Sequence, residues 1–184
     1  ENTPRGAHRL LIPTWGGQRN GGTSFDFTYY YGVVPKDAME KLAWVTSDML
    51  GFVLNTVDEQ TLEGEKQVVK NEKRQRVDNQ PYGHSRGIIL KALYPKGHPY
   101  SWTVIGELED LQAATVEDVK EFYNEFYGPS NTTIVIAGDI DFTETRRIVE
   151  RWFGEIKPTM NIADDPKPQL CLLYTSPSPR DVLR

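Results

Sequence analysis

Glu65 and Glu72 are the residues whose spacing most invites chemistry. They lie seven apart, with Val69 between them, so on a helix all three share one face. A helix that turns an apolar stripe inward keeps acids off it, because an unpaired buried carboxylate is costly. A cation relieves that cost, and a metal ion is one candidate. A charged surface helix with both acids in water explains the same spacing. The two acids stand about 10 Å apart along a helix axis. They cannot share the inner sphere of one ion, where metal–oxygen distances are about 2 Å. One could ligate while the other orients a ligand.

The other candidates are fewer. His8, His84 and His98 are the only imidazoles, and none opens a His-x-x-x-His, His-Glu-x-x-His or His-x-x-Glu-His pattern. Each reads as a loop or surface histidine. The sole cysteine, Cys171, excludes a disulfide framework. There is no Gly-x-Gly-x-x-Gly motif and no phosphate loop, so nucleotide binding has no motif support.

A length of 184 residues fits one domain with a tail. A net charge of −5 gives no support to a nucleic-acid or anionic-membrane partner, and neither is expected. No apolar run approaches the roughly 18 residues of a membrane-spanning helix.

The chemistry-bearing residues need elements to hold them. Residues 58–79 read as one long helix with Asp58 as N-cap. Residues 20–34 read as one strand, in which Phe25, Phe27, Tyr29, Tyr31 and Val33 alternate with Ser24, Asp26, Thr28 and Tyr30. Gly21 and Gly22 leave its backbone bare, a mark of a bulge or of close approach by another backbone. Helices are expected at 37–52, at 85–93 with Ile88, Ile89 and Leu93 inward, from the Thr115/Asp118 capping box onward, and at 142–153. Pro13 should stop a helix that includes His8–Ile12. Residues 95–102 read as a loop, and the β-branched run 132–137 as a buried strand. Two strands cannot bury so many helix faces. The fold class expected is therefore α+β, helices on one sheet, with strands missing from the reading or from the fragment. Residues 1–165 form the expected domain. Residues 166–184 have four prolines and no period, and read as a disordered tail. Within it, 171–181 looks like the translation of a sequencing adapter.

Several stretches in order resemble the pitrilysin-like zinc metalloproteases, the inverzincins, and among them bacterial relatives of the mitochondrial processing peptidase. They are residues 16–30 followed by Val34-Pro35; Glu65-Lys-Gln-Val68-Val69-Lys-Asn-Glu72; His98-Pro-Tyr100; Ile105-Gly106; Leu111 to Thr115; and Tyr127-Gly-Pro129-Ser-Asn131 with Gly138-Asp139. The resemblance covers residues 1–157. It implies helices on one face of a mostly antiparallel sheet, in domains that pair like a clamshell around a peptide.

By position in the family's motifs, Glu72 is the third ligand of a Zn2+ ion and Glu65 its supporting catalytic carboxylate. Asn20, Gly21, Gly22 and Thr23 match the edge strand that binds substrate by strand addition. The family's His-x-x-Glu-His helix, which supplies two zinc ligands and the general base, is absent from the sequence. The resemblance thus implies a fragment of a zinc endopeptidase. In the parent, metal-bound water would attack the peptide carbonyl, while this chain alone would be inactive. The partners implied are a peptide or unfolded protein substrate and a second homologous domain or subunit. With no metal or histidines to meet them, Glu65 and Glu72 should be partly exposed or paired with local Lys or Arg. A non-catalytic peptide-binding or scaffold subunit of the same fold is the alternative. The residues do not fix the compartment; the likeness to bacterial members leans to the periplasm or to export.

Overall fold

The computed structural model describes residue 3 and residues 6–158; the expected tail at 166–184, with Cys171, lies outside them. Helix α1, Ala7–Thr14, is entered through Gly6 at φ 76° and left through Gly16 at φ +74°, a left-handed region open to glycine. Pro13 sits in the last turn, so the helix closes one residue later than the proline alone implies. Ile12 is fully buried. A side chain at Gly17 would meet Ile12, Val34 and the Val33 carbonyl within 3 Å, so glycine lets the chain leave α1 against its own core.

The expected single strand is a hairpin. Strand β1, Gln18–Thr23, pairs antiparallel with β2, Thr28–Val33, in the register Gln18 to Val33 and Thr23 to Thr28. The four residues 24–27 turn the chain, and the Ser24 N–H donates to the Phe27 carbonyl at 2.8 Å. The aromatic alternation is real, but it cannot show where the direction reverses. One face meets a helix: Gly32 has no side chain, and Leu42 occupies the space a Cβ would fill. The opposite face exposes Phe27, Tyr29, Tyr31 and Val33.

A 3-10 turn, Lys36–Ala38, leads into α2, Met39–Gly51, which buries Ala43 and Val45. Asp58 caps α3, Glu59–Lys73, through a capping box with Thr61. The chain continues in a π-type turn, Arg74–Asp78, rather than in α-helix to residue 79. Helix α4 covers Ser85–Leu93. Residues 95–102 include a 3-10 turn, Pro99–Ser101. A short helix, α5, Leu108–Ala113, was not foreseen. Helix α6, Val116–Phe126, starts at the expected Thr115/Asp118 box. Its Tyr123 hydroxyl sits within donating distance of the Met49 and Leu50 carbonyls, 2.7 and 2.9 Å away, at the end of α2. Helix α7, Phe142–Phe153, buries Ile148. It docks on α2, where the Trp44 and Trp152 rings lie 6.4 Å apart and Glu40 accepts from Arg151 and from the Trp152 indole.

Two expectations of burial fail together. Residues 132–137 pair with no strand among the described residues, and Val135 is 82% exposed. Ile88, Ile89 and Leu93 of α4 are exposed, not inward. The reason is common to both: a two-stranded sheet has too little area to cover them. The architecture is α+β, with helices on one face of an antiparallel sheet. No described helix is long and apolar enough to cross a membrane.

Candidate peptide-binding edge and acidic helix

Among the described residues β1 has one strand neighbour, so its other edge is open. Antiparallel pairing alternates between hydrogen-bonded and non-bonded residue pairs. The Ser24 to Phe27 bond fixes the phase. Asn20 and Gly22 point their backbone groups at β2, while Arg19, Gly21 and Thr23 point theirs at the open edge. The Gly21 N–H is met by the Asn20 side-chain oxygen at 2.9 Å, consistent with that phase. Gly22 lies under the Tyr29 ring, which comes within 2.9 Å of where a Cβ would stand. Of the four expected binding residues, Gly21 and Thr23 thus direct backbone groups at the open edge, while Asn20 and Gly22 pair with β2 and the Asn20 side-chain oxygen occupies the Gly21 N–H.

Helix α3 does not bury its acids. Glu65 is exposed, and Glu72 is half-buried and paired with Arg76 at 2.9 Å. The residues it turns inward are lysines. Lys66 donates to the Gln112 carbonyl at 3.1 Å. Lys70 donates to the Gln112 side chain. Lys73, almost fully buried, donates to the Gly106 carbonyl at 2.5 Å and to Glu107 at 3.2 Å. Adjacent residues are about 100° apart around a helix. Clamping Lys66 and Lys73 onto 106–112 therefore sets Glu65 and Glu72 at the rim of the buried face. Glu107 also binds Lys91 of α4 at 2.9 Å, so one carboxylate joins two helices.

A protein zinc site takes three or four nitrogen, oxygen or sulfur ligands. Among the described residues no three His, Cys, Asp or Glu side chains converge on a point that could hold a metal. The residues present do not make a zinc site by themselves. The histidines divide. His84 is exposed beside Asp78, as expected. His8 is half-buried on α1. His98, expected at the surface, is 6% exposed: its Nδ1 accepts the Tyr100 N–H at 3.0 Å, and its ring stacks on Tyr94. A motif of three residues carries no sign of burial, which here comes from Tyr94 and Tyr100 closing over the imidazole.

Two of these groups give the fold a dependence on pH. Burial first, and the Arg19 charge second, hold the His8 imidazole below its ordinary 6.5. The unfolded chain then takes up this proton first, so stability falls as pH drops through the ordinary imidazole range. Hydrogen bonds from Lys91, then Lys73, hold Glu107 below its ordinary 4.5. Its contribution is complete above that value and lost as pH falls through the lower, folded-state value. Urea midpoints measured across pH should show both steps. His8→Gln should remove the upper one and Glu107→Gln should shrink the lower one, to which Asp118 and Glu144 also contribute.

Comparison with known proteins places this fold among known families. The family profile described as Peptidase M16 inactive domain matches residues 113–181. The chain is 31% identical over 157 residues to the zinc protease PqqE of Helicobacter pylori, covering 85% of this chain and 35% of that protein. It is 26% identical over 162 residues to the probable mitochondrial-processing peptidase subunit beta of Schizosaccharomyces pombe, covering 86% and 34%. The crystal structure of a protease from Helicobacter pylori matches with a TM-score of 0.82 at 29% identity, over 89% of this chain and 38% of that one. In sequence and in fold the chain is similar to the pitrilysin-like, or M16, metalloproteases. It spans about a third of the length of the curated relatives it matches.

Proposed function

We propose that this chain is the peptide-receiving part of a zinc-dependent endopeptidase. Its substrate is an extended peptide or an unfolded protein segment, which adds to β1 as a further strand. In this reading Glu72 contributes one carboxylate to the metal, Glu65 supports it, and a second homologous domain or subunit faces the sheet. The observation that carries the reading is the open edge: Arg19, Gly21 and Thr23 direct backbone donors and acceptors outward in strand phase. Main-chain bonding of this kind gives affinity with little dependence on sequence.

The test uses the ligand's own backbone. An unstructured fluorescent peptide should bind the 184-residue chain. N-methylation of the alternate amides that face β1 should weaken it about tenfold or more, at roughly 1 kcal/mol per lost hydrogen bond over several bonds. Methylation of the other set should have little effect. Equal loss from both sets would rule out strand addition.

The description of the matched profile as an inactive domain favours a second reading, a non-catalytic peptide-binding or scaffold subunit. The reading frame upstream of Glu1 separates the two. A His-x-x-Glu-His codon pattern there supports the enzyme, and a start codon without one supports the scaffold.

A further inference from the structure

The His98-Pro99-Tyr100 motif has no part in the edge or in α3, yet it reaches the hairpin. The Tyr100 hydroxyl donates to the Asp26 carboxylate, across 74 residues of sequence. Its ring lies 4.8 Å from that of Phe25, and the Arg86 guanidinium of α4 sits over Phe25 at 5.8 Å. Both Phe25 and Asp26 belong to the turn that follows Thr23 directly. Tyr100 is itself held in place: His98 Nδ1 accepts its N–H, and the buried imidazole meets its ring edge-on at 5.4 Å. With Nδ1 accepting, the proton of the neutral ring is on Nε2, which is buried and has no hydrogen-bond partner among the described residues. His98 therefore spends its hydrogen bond on the turn it caps, while its ring is held by Tyr94 and Tyr100.

We infer that His98, Tyr100 and Asp26 form a clasp that positions the open edge of β1 for peptide capture. An unanchored two-stranded hairpin is marginal in water, and among the described residues β1 has β2 as its one strand neighbour. The clasp fixes the end of β1 nearest Thr23 to the segment that follows α4. An incoming peptide then meets an edge already extended, and loses less affinity to ordering it. His98 and Tyr100 act through Asp26 and the hairpin turn. They are positioning residues, and the inference rests on the strand-addition reading above.

Tyr100→Phe keeps the ring and removes the hydroxyl. Asp26→Ala removes the acceptor, and Asp26→Asn restores an oxygen that can accept. The fluorescent peptide of the previous test is titrated into each, alongside amide hydrogen exchange and the urea midpoint. Tyr100→Phe and Asp26→Ala are expected to weaken binding about tenfold, the scale of one hydrogen bond to a charged group. Exchange should quicken at residues 18–28 and stay unchanged elsewhere, and Asp26→Asn should recover most of the affinity. Wild-type affinity in both variants overturns the clasp while leaving strand addition intact. Faster exchange across the whole chain overturns it too, because the hydroxyl would then be a general support of the fold. If the unaltered chain binds no peptide, the strand-addition reading falls first and the clasp falls with it.

Discussion

Gly83→Ala is expected to lower the unfolding free energy by about 3 kcal/mol, the upper range for forcing atoms into filled space. A Cβ at this position would stand 1.9 Å from the Val77 carbonyl oxygen, 2.7 Å from its carbon and 3.1 Å from the Gln80 carbonyl oxygen. These are backbone atoms, so no rotamer change relieves the overlap. Val77 accepts from the Gln80 N–H and Gln80 from the Gly83 N–H, which stacks two tight turns between α3 and α4. Tyr82, between them, already sits at φ 59°, a left-handed conformation that costs a residue with a side chain about 1–2 kcal/mol. Admitting a methyl group at 83 means opening this reversal. A drop in the urea midpoint without a change in slope would report it. Gly64→Ala is the internal control. That glycine lies inside α3 with open space around it, and alanine there should stabilise by about 1 kcal/mol. The same substitution thus has opposite signs at two positions in neighbouring segments.

Lys73→Met is expected to cost about 2 kcal/mol. Methionine matches much of the length and apolar stem of lysine, so little packing is lost. What goes is the donor to the Gly106 carbonyl and one partner of Glu107. Glu107 keeps Lys91, which limits the penalty of stranding a carboxylate. The local effect should exceed the global one. Lys66 and Lys70 still hold the middle of α3 through Gln112, so the helix should loosen at its C-terminal end, next to Glu72. Amide exchange from about Val69 onward should quicken, and the acid step attributed to Glu107 should shrink. An unchanged exchange pattern would mean that the lysine clamps do not set the rotation of the helix.

Much of this fold is readable before any coordinates. The caps at Asp58 and Thr115 announce their helices because a side-chain acceptor is written into the sequence beside the N–H groups it serves. The aromatic alternation through Tyr29, Tyr31 and Val33 likewise belongs to one element. The hairpin turn is harder: Ser24, Phe25, Asp26 and Phe27 hold no glycine or proline to mark a reversal, and Phe25 is retained there by Tyr100. The lysine stripe of α3 is hidden for a related reason. Lys66, Lys70 and Lys73 share a helical face, but their partners are the carbonyls of Gly106 and Gln112 and the Gln112 side chain, and a backbone acceptor leaves no mark on residue type. Burial of 132–137 follows from composition only if a strand lies alongside, and none does among the described residues. Glu65 and Glu72 were readable as a pair by spacing, and their exposure follows once the lysines beside them are seen to take the inner face.

The docking of α7 on α2 carries a consequence for biosynthesis. Glu40 and Arg151 meet across 111 residues of chain. At a translation rate of about 5–20 residues per second, α2 leaves the ribosome roughly 6–22 s before its partner exists. During that interval Trp44 has no Trp152 to lie against and Glu40 has no guanidinium. The contacts between α2 and α7 form only after the whole stretch between them has been made, and a release from the ribosome before α7 would forfeit them.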